Sequence, residues 1–449
     1  MDTSARTLTR PGLLRQIRFL RRFFGQPHAA LEEIYDSEGP VVQIGAGPTR
    51  LAILGDPVVI ADMFAESTES FRWNHRFSTL SQWVGAKSLL TSDGAAHRRR
   101  RQAVQDGFTR RRVNSWIPSM LEAIDASVDG LLDSLGTTEQ VVDMYPVGRS
   151  LVLDIILLVL GGPRMLDRAE LIDAQMQVVQ DFIELPAVKQ IPHPWPGGAR
   201  RGVRRARSTL DMVTDEEMAR VRSGNDGHGS SVIESLVFAG VLDDAEIRDQ
   251  VVTLIGAGYD PPSASLAWIL LRAASKPGLW DALGDEADAT LGDPGGTTPV
   301  DPSVVGSLRL VDRTVRESLR LHPPGAFGAR EAADDLVLGG YLIPRRTLIA
   351  WSTHLSGRDP GFWPDPLRFD PDRHLNPSPE QAALSRLAWV PFGGGARNCL
   401  GLALAHVELN LIVARFAQRL RLQPVRSTVP PPTRRSRPQG GAPLRVSER

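Results

Sequence analysis

"PFGGGARNCLGLALAHVEL", residues 391–409, decides how the rest of the chain is read. Cys399 is the only cysteine, and it lies between a glycine-rich turn and a strongly helical run. That order places its sulfur near a helix N-terminus, where backbone N–H groups favour a thiolate. Gly393, Gly394 and Gly395 allow tight turns and a close approach of backbone to a flat ligand. Phe392 can pack on such a ligand, and Arg397 can pair with its carboxylates. A lone cysteine is more often a small buried apolar side chain, so other readings compete. A dinucleotide loop fails, because Asn398 stands where the third glycine belongs. Zinc is implausible with one cysteine and no close histidine pair.

Composition sets the bounds. The 449 residues hold 52 basic and 52 acidic side chains, which gives no general electrostatic case for nucleic acid or an anionic membrane. Lysine occurs only at Lys87, Lys189 and Lys276, so the positive charge is nearly all arginine. One cysteine permits no intrachain disulfide. No apolar run reaches the length of a membrane span. The amphipathic, basic stretch "LLRQIRFLRRFFGQ" lacks the uninterrupted apolar region of a signal peptide and reads as a solvated first helix, with a surface helix touching membrane as the alternative. The expectation is a cytoplasmic, monomeric protein.

Periodicity predicts helices over 118–135, 148–160, 165–184, 200–222, 229–238, 244–274, 308–321 and 400–419. Strand signals cluster at 41–55 and 336–352. No internal repeat or long linker interrupts the chain. The expected fold class is mainly α with a smaller β region. Residues 1–449 are read as one domain, with 1–30 as an N-terminal extension and first helix.

"FGGGARNCLG", residues 392–401, resembles the haem-binding signature of the cytochromes P450. Further blocks follow in that family's order. "ESLR" places Glu317 and Arg320 three apart on one helix face, where they can pair. "FDPDRHL" supplies Arg373, which in the family completes a structural triad with those two. "GAAHRRRRQAVQDGFTRRR" resembles the family's C-helix, with His97 and Arg101 on one face. "GAREAADDLVLGGYLIP" resembles the segment in which Arg330 would bind a propionate. The resemblance runs from about residue 30 to the C-terminus.

The resemblance implies the P450 fold, with haem b between a long distal helix and the cysteine loop. It implies Cys399 as the axial ligand of the haem iron. His97, Arg101, Arg330 and Arg397 would hold the propionates, with Phe392 and Gly401 completing the cofactor site. The rest of the arginine run 98–101, with Arg110, Arg111 and Arg112, reads as surface where an acidic electron donor could dock. The implied activity is that of a monooxygenase using dioxygen and electrons from a separate ferredoxin and ferredoxin reductase. The substrate would be a sizeable, mainly apolar small molecule, of the kind tailored in bacterial secondary metabolism. By family analogy its contacts include Trp73, Trp83, Phe182, Leu185, Trp195, Tyr259 and Phe327.

One stretch departs from the family. "LIGAGYDPPSASLAW" aligns with the distal helix, and Ala257, Gly258 and Asp260 fit its oxygen groove. Pro261 stands where the family usually carries a threonine that helps deliver protons. Asp260 is then a candidate proton relay. Pro261 and Pro262 have no N–H to donate, so the helix is expected to break there. Two alternatives stay open: a peroxide-driven or dioxygen-independent haem-thiolate enzyme, and a non-catalytic haem-binding partner protein.

Overall fold

The computed structural model describes residues 5–75, 78, 80–136, 138–185, 190, 198–224, 231–294, 301–426, 429–433 and 436–449. Helices dominate it. Those that build the site are α1 (Leu13–Phe23), α2 (Pro27–Glu38), α3 (Pro57–Ala65), α4 (Gly94–Gln105), α5 (Met144–Gly161), α6 (Ala169–Glu184), α7 (Asp244–Ser275), α8 (Arg309–Leu321) and α9 (Leu402–Arg419). The predicted helices are all present, with ends shifted by a few residues.

The strands are β1 (Val41–Ile44), β2 (Leu51–Leu54), β3 (Phe71–Arg72), β4 (Gln140–Asp143), β5 (Gly328–Ala332), β6 (Leu336–Leu338), β7 (Tyr341–Ile343), β8 (Leu348–Trp351), β9 (Leu420–Pro424) and β10 (Pro443–Glu448). They form a five-stranded sheet ordered β1-β2-β8-β5-β3, a three-stranded sheet ordered β4-β10-β9, and a β6–β7 hairpin. Among the described strands only the β2–β8 pairing is parallel. The N-terminal segment is stitched to these strands: the Arg6 N–H donates to Gly340 O at 2.8 Å and the Gln43 N–H to Thr9 O at 2.7 Å.

α7 is the axis of the helical core. Asp243 and Glu246 close a capping box at its start. In the arginine run on α4, Arg98 and Arg99 are exposed as expected, yet each is paired: Arg99 and the more buried Arg100 both bond to Glu246, and Arg98 pairs with Glu69. Three of the four arginines therefore hold acids on neighbouring segments.

The expected break in α7 is absent. The helix runs on through Pro261 and Pro262. Each interior proline costs about 3 kcal/mol, but the turns on both sides carry a dense set of buried side chains, among them Val251, Val252, Leu266 and Trp268. Bending the axis would pull those apart, and a fully buried side chain of this kind contributes ~1.5–3 kcal/mol. Packing outweighs local propensity. α5 is long and apolar enough to cross a membrane by composition, in contrast to the sequence reading, but most of it is buried inside the protein. It packs along α7, where Gly258 admits Ile156.

Candidate active site

The cysteine loop is shaped by α3 and by the sheet. Gly393 and Gly395 have φ of 68° and 65°. A Cβ on Gly394 would lie 2.4 Å from the Phe64 ring, and one on Gly395 2.2 Å from Phe64 O. Gly394 and Gly395 are thus required by the packing of α3 against the loop. The Cys399 N–H donates to Phe392 O at 2.8 Å and closes the turn. Phe392 lies between Trp389 and His406, with ring centroids 5.9 and 5.4 Å away.

Cys399 leads into the N-terminus of α9, as expected. The residue keeps accessible surface. Burial pushes the thiol pKa up; the Gly401 N–H and the Arg101 charge oppose that rise. A Cβ on Gly401 would meet only the Cys399 sulfur, at 3.9 Å.

Four basic groups gather near this loop. Arg330 is 5% exposed, and its guanidinium lies 4.9 Å from the ring centroids of Phe71 and Trp73 and 5.4 Å from Phe64. It has no acidic partner, and its Nε no hydrogen bond, among the described residues. Burial, then the nearby Arg397 charge, lower its pKa to about 10. Arg397 stacks 3.8 Å over Trp73 and donates to Ser92 O at 2.6 Å and Leu89 O at 3.2 Å. Its nearest acid is Asp93, at 3.5 Å. His97 is buried, and desolvation together with Arg397, Arg101, Arg98 and Arg100 holds its pKa down to about 3. Its ring is therefore neutral. Arg101 instead grips Asn398, with bonds of 3.0 Å to its carbonyl and 2.8 Å to its amide oxygen, and so ties α4 to the cysteine loop.

A buried guanidinium with no carboxylate, beside a second one, is unstable unless an anion approaches it. Haem supplies carboxylates at its edge and an iron that takes a thiolate. The donor set of Arg330, Arg397, His97 and Cys399 therefore fits it.

Glu317, Arg320 and Arg373 do come together. Arg320 grips Glu317 with two bonds of 2.8 Å, and Arg373 Nε approaches the same carboxylate at 3.3 Å. The sequence reading missed His374, whose Nε2 lies 3.1 Å from Glu317, and the Asp370 N–H, which donates at 2.9 Å. Burial raises the Glu317 pKa, but the Arg320 and His374 bonds and the Arg320 charge bring it down to about 2. Arg320 also donates to the carbonyls of Gly357 and Pro366, and so fixes the chain that leads to the cysteine loop.

On α7, Ala257 is exposed and Gly258 and Pro261 are half-buried. α5 also requires glycine at 258, since a Cβ there would lie 2.6 Å from Ile156. Ser263 and Ser265 donate back to the carbonyls of Tyr259 and Pro261, at 2.6 and 2.9 Å. The Asp260 carboxylate accepts from Gln180 Nε2 of α6 at 3.0 Å.

The expected substrate contacts scatter. Tyr259 is fully buried and turned away, its hydroxyl bonded to Arg149 and Asp173. Trp73 serves the two arginines. Phe182 is core, and Leu185 follows α6 half-buried. Trp83 lies against α7, where a Cβ on Gly256 would come 2.6 Å from its ring. Phe327 is 39% exposed and touches Phe23 of α1. Trp195 lies outside the described residues.

Comparison with known proteins agrees with this site. The profile of the family Cytochrome P450 matches residues 9–443. "Putative cytochrome P450 139" of Mycobacterium tuberculosis is 30% identical over 406 residues, 88% of this chain and 90% of that protein. "Cyclooctatin synthase" of Streptomyces melanosporofaciens is 30% identical over 405 residues, 87% and 85% of the two chains. "Pentalenene oxygenase" of Streptomyces avermitilis is 28% identical over 395 residues, 86% and 85%. In fold, the chain matches the solved structure "Retinoic acid bound cyanobacterial CYP120A1" with a TM-score of 0.83, at 22% identity and over 100% of both chains. A match over nearly the whole length, joined to a lone cysteine and an anion-seeking arginine set, places this chain in the cytochrome P450 family of haem monooxygenases.

Proposed function

We propose that this enzyme oxygenates a sizeable, mainly apolar small molecule in bacterial secondary metabolism, in the cytoplasm and as a monomer. Its electrons would come from a separate ferredoxin and ferredoxin reductase. The observation that carries the haem assignment is Cys399, accessible just before α9, together with the buried Arg330, which lies near Arg397 and has no acidic partner among the described residues. Two relatives support the substrate class: one is named "Pentalenene oxygenase" and another "Cyclooctat-9-en-7-ol 5-monooxygenase".

When bound, haem supplies the redox chemistry that splits dioxygen and oxidises the substrate. The chain's own residues do the rest. Cys399 would ligate the iron, with the Gly401 N–H and the Arg101 charge favouring its thiolate. Arg330, Arg397 and neutral His97 would hold the carboxylates. Ala257, exposed on α7, would leave room for dioxygen. Asp260, oriented by Gln180, would relay a proton through ordered water. No serine hydroxyl competes for that task, since Ser263 and Ser265 are tied to backbone.

A second reading rests on Pro261, which has no hydroxyl where the family usually carries threonine: turnover driven by peroxide, or without dioxygen. The test is reconstitution with reductant, ferredoxin and reductase on substrates chosen by a spin-state screen. Tight coupling of reductant to product supports the monooxygenase. Faster turnover with peroxide supports the alternative. Retention of the thiolate-type carbonyl Soret band in Cys399→Ala would reject both, and the ligand assignment with them.

A further inference from the structure

Helix α1 buries little of itself. Only Gln16 and Phe19 are buried within it. Leu13, Ile17, Leu20 and Phe24 stand at i, i+4, i+7 and i+11, so they form one stripe. Their exposures are 72, 45, 38 and 47%, and Leu14 beside them reaches 84%. Single exposed apolar residues are ordinary, but a continuous stripe marks an interaction face. The charges around it have one sign. The helix carries four arginines and no acid. Arg15, Arg18 and Arg22 reach Glu38 and Glu33 of α2, which fixes the helix on the body. Arg10 and Arg21 are exposed and have no acidic partner among the described residues.

We infer that α1 is an interfacial helix that docks the enzyme on an anionic bilayer surface. The stripe would enter the acyl boundary, with Arg10 and Arg21 at headgroup level. Eleven residues make a helix of about 16 Å, too short to span. A symmetric pair of chains fits the same face poorly, because it would set arginine against arginine with no acid between them. The apolar surface also continues inward. Phe23 lies 5.3 Å from Phe327, in the loop that leads to β5 and Arg330. A substrate dissolved in the membrane would meet that loop first; this last step rests on the proposed function, whereas the docking does not.

The test uses holoenzyme and sedimentation with vesicles. Vesicles of equal phosphatidylglycerol and phosphatidylcholine should bind it, and pure phosphatidylcholine vesicles should bind it about tenfold more weakly or less. Leu14→Glu with Ile17→Glu should weaken binding by about tenfold or more, with the carbonyl spectrum and melting temperature unchanged. Arg10→Gln and Arg21→Gln should each cost about fivefold on anionic vesicles only. Absence of wild-type binding would overturn the inference. So would equal binding by the glutamate variant, or a wild-type dimer that this variant dissociates. Failure here leaves the oxygenase assay untouched.

Discussion

Gln180 of α6 donates its amide N–H to the carboxylate of Asp260 on α7 at 3.0 Å, and its own Oε1 has no partner among the described residues. Gln180 is 2% exposed, so the contact is sheltered from water. Asp260→Asn should lower turnover by ~100-fold or more, the small end of general acid–base contributions. Gln180→Leu should leave haem content unchanged but release more peroxide per reductant consumed and alter the solvent isotope effect. Unchanged coupling in both variants would remove Asp260 from proton delivery.

Glu317 should prove structural. Glu317→Ala strands two guanidinium groups, those of Arg320 and Arg373, whose side chains are 0% and 8% exposed. Breaking a buried pair in this way costs about 3–5 kcal/mol. The variant should fail to accumulate as folded holoprotein. His374→Phe, which removes one bond and leaves the arginines paired, should cost only about 1–3 kcal/mol by denaturant titration. Normal yield of Glu317→Ala would contradict the role.

Arg330→Leu should fold, since three aromatic rings already surround the site. It should lose haem to an acceptor protein about 10- to 100-fold faster, the equivalent of one charge-assisted hydrogen bond of roughly 1.5–3 kcal/mol. Arg330→Lys, which keeps the charge without the planar fork, should fall between. Equal loss rates in all three proteins would reject the anion-holding role.

Acid should destabilise the protein well above the carboxylate range. Three buried histidines are placed as neutral rings. His354 accepts at Nδ1 from Arg358 at 2.9 Å and faces Glu32 with Nε2 at 2.7 Å. Its ring meets that of His28, which pairs with Ser436 at 3.1 Å. His322 stacks on Trp268 and accepts from Arg272 at 2.9 Å. Burial above all, with the neighbouring arginines, brings His354 to about 4, His28 to about 3 and His322 well below its usual value of 6.5. The unfolded chain takes up these protons below about pH 6.5 and the folded chain does not. Stability is therefore fully present above that pH and falls as the pH drops toward 4, by about 1.4 kcal/mol per pH unit for each histidine. Denaturant midpoints at pH 7.5, 6 and 5 check this, and His28→Asn should flatten the slope by about one proton.

The sequence by itself determined whatever depends on neighbours along the chain. The turn around Cys399 and the helix after it were legible, because glycines and apolar periodicity act within a few residues. The Glu317–Arg320 pair was legible because three residues of helix bring two side chains together. The tertiary structure decided what depends on the element lying opposite. It kept α7 whole through Pro261 and Pro262, since packing on both sides outweighs two lost hydrogen bonds. It assigned Gly258 to Ile156, turned Tyr259 to Arg149 and Asp173, and put Trp73 between two arginines. His374 could be suspected from its place beside Arg373, but Gln180 carried no signal at all. Eighty residues separate it from Asp260, and only the crossing of α6 over α7 brings the amide to the carboxylate.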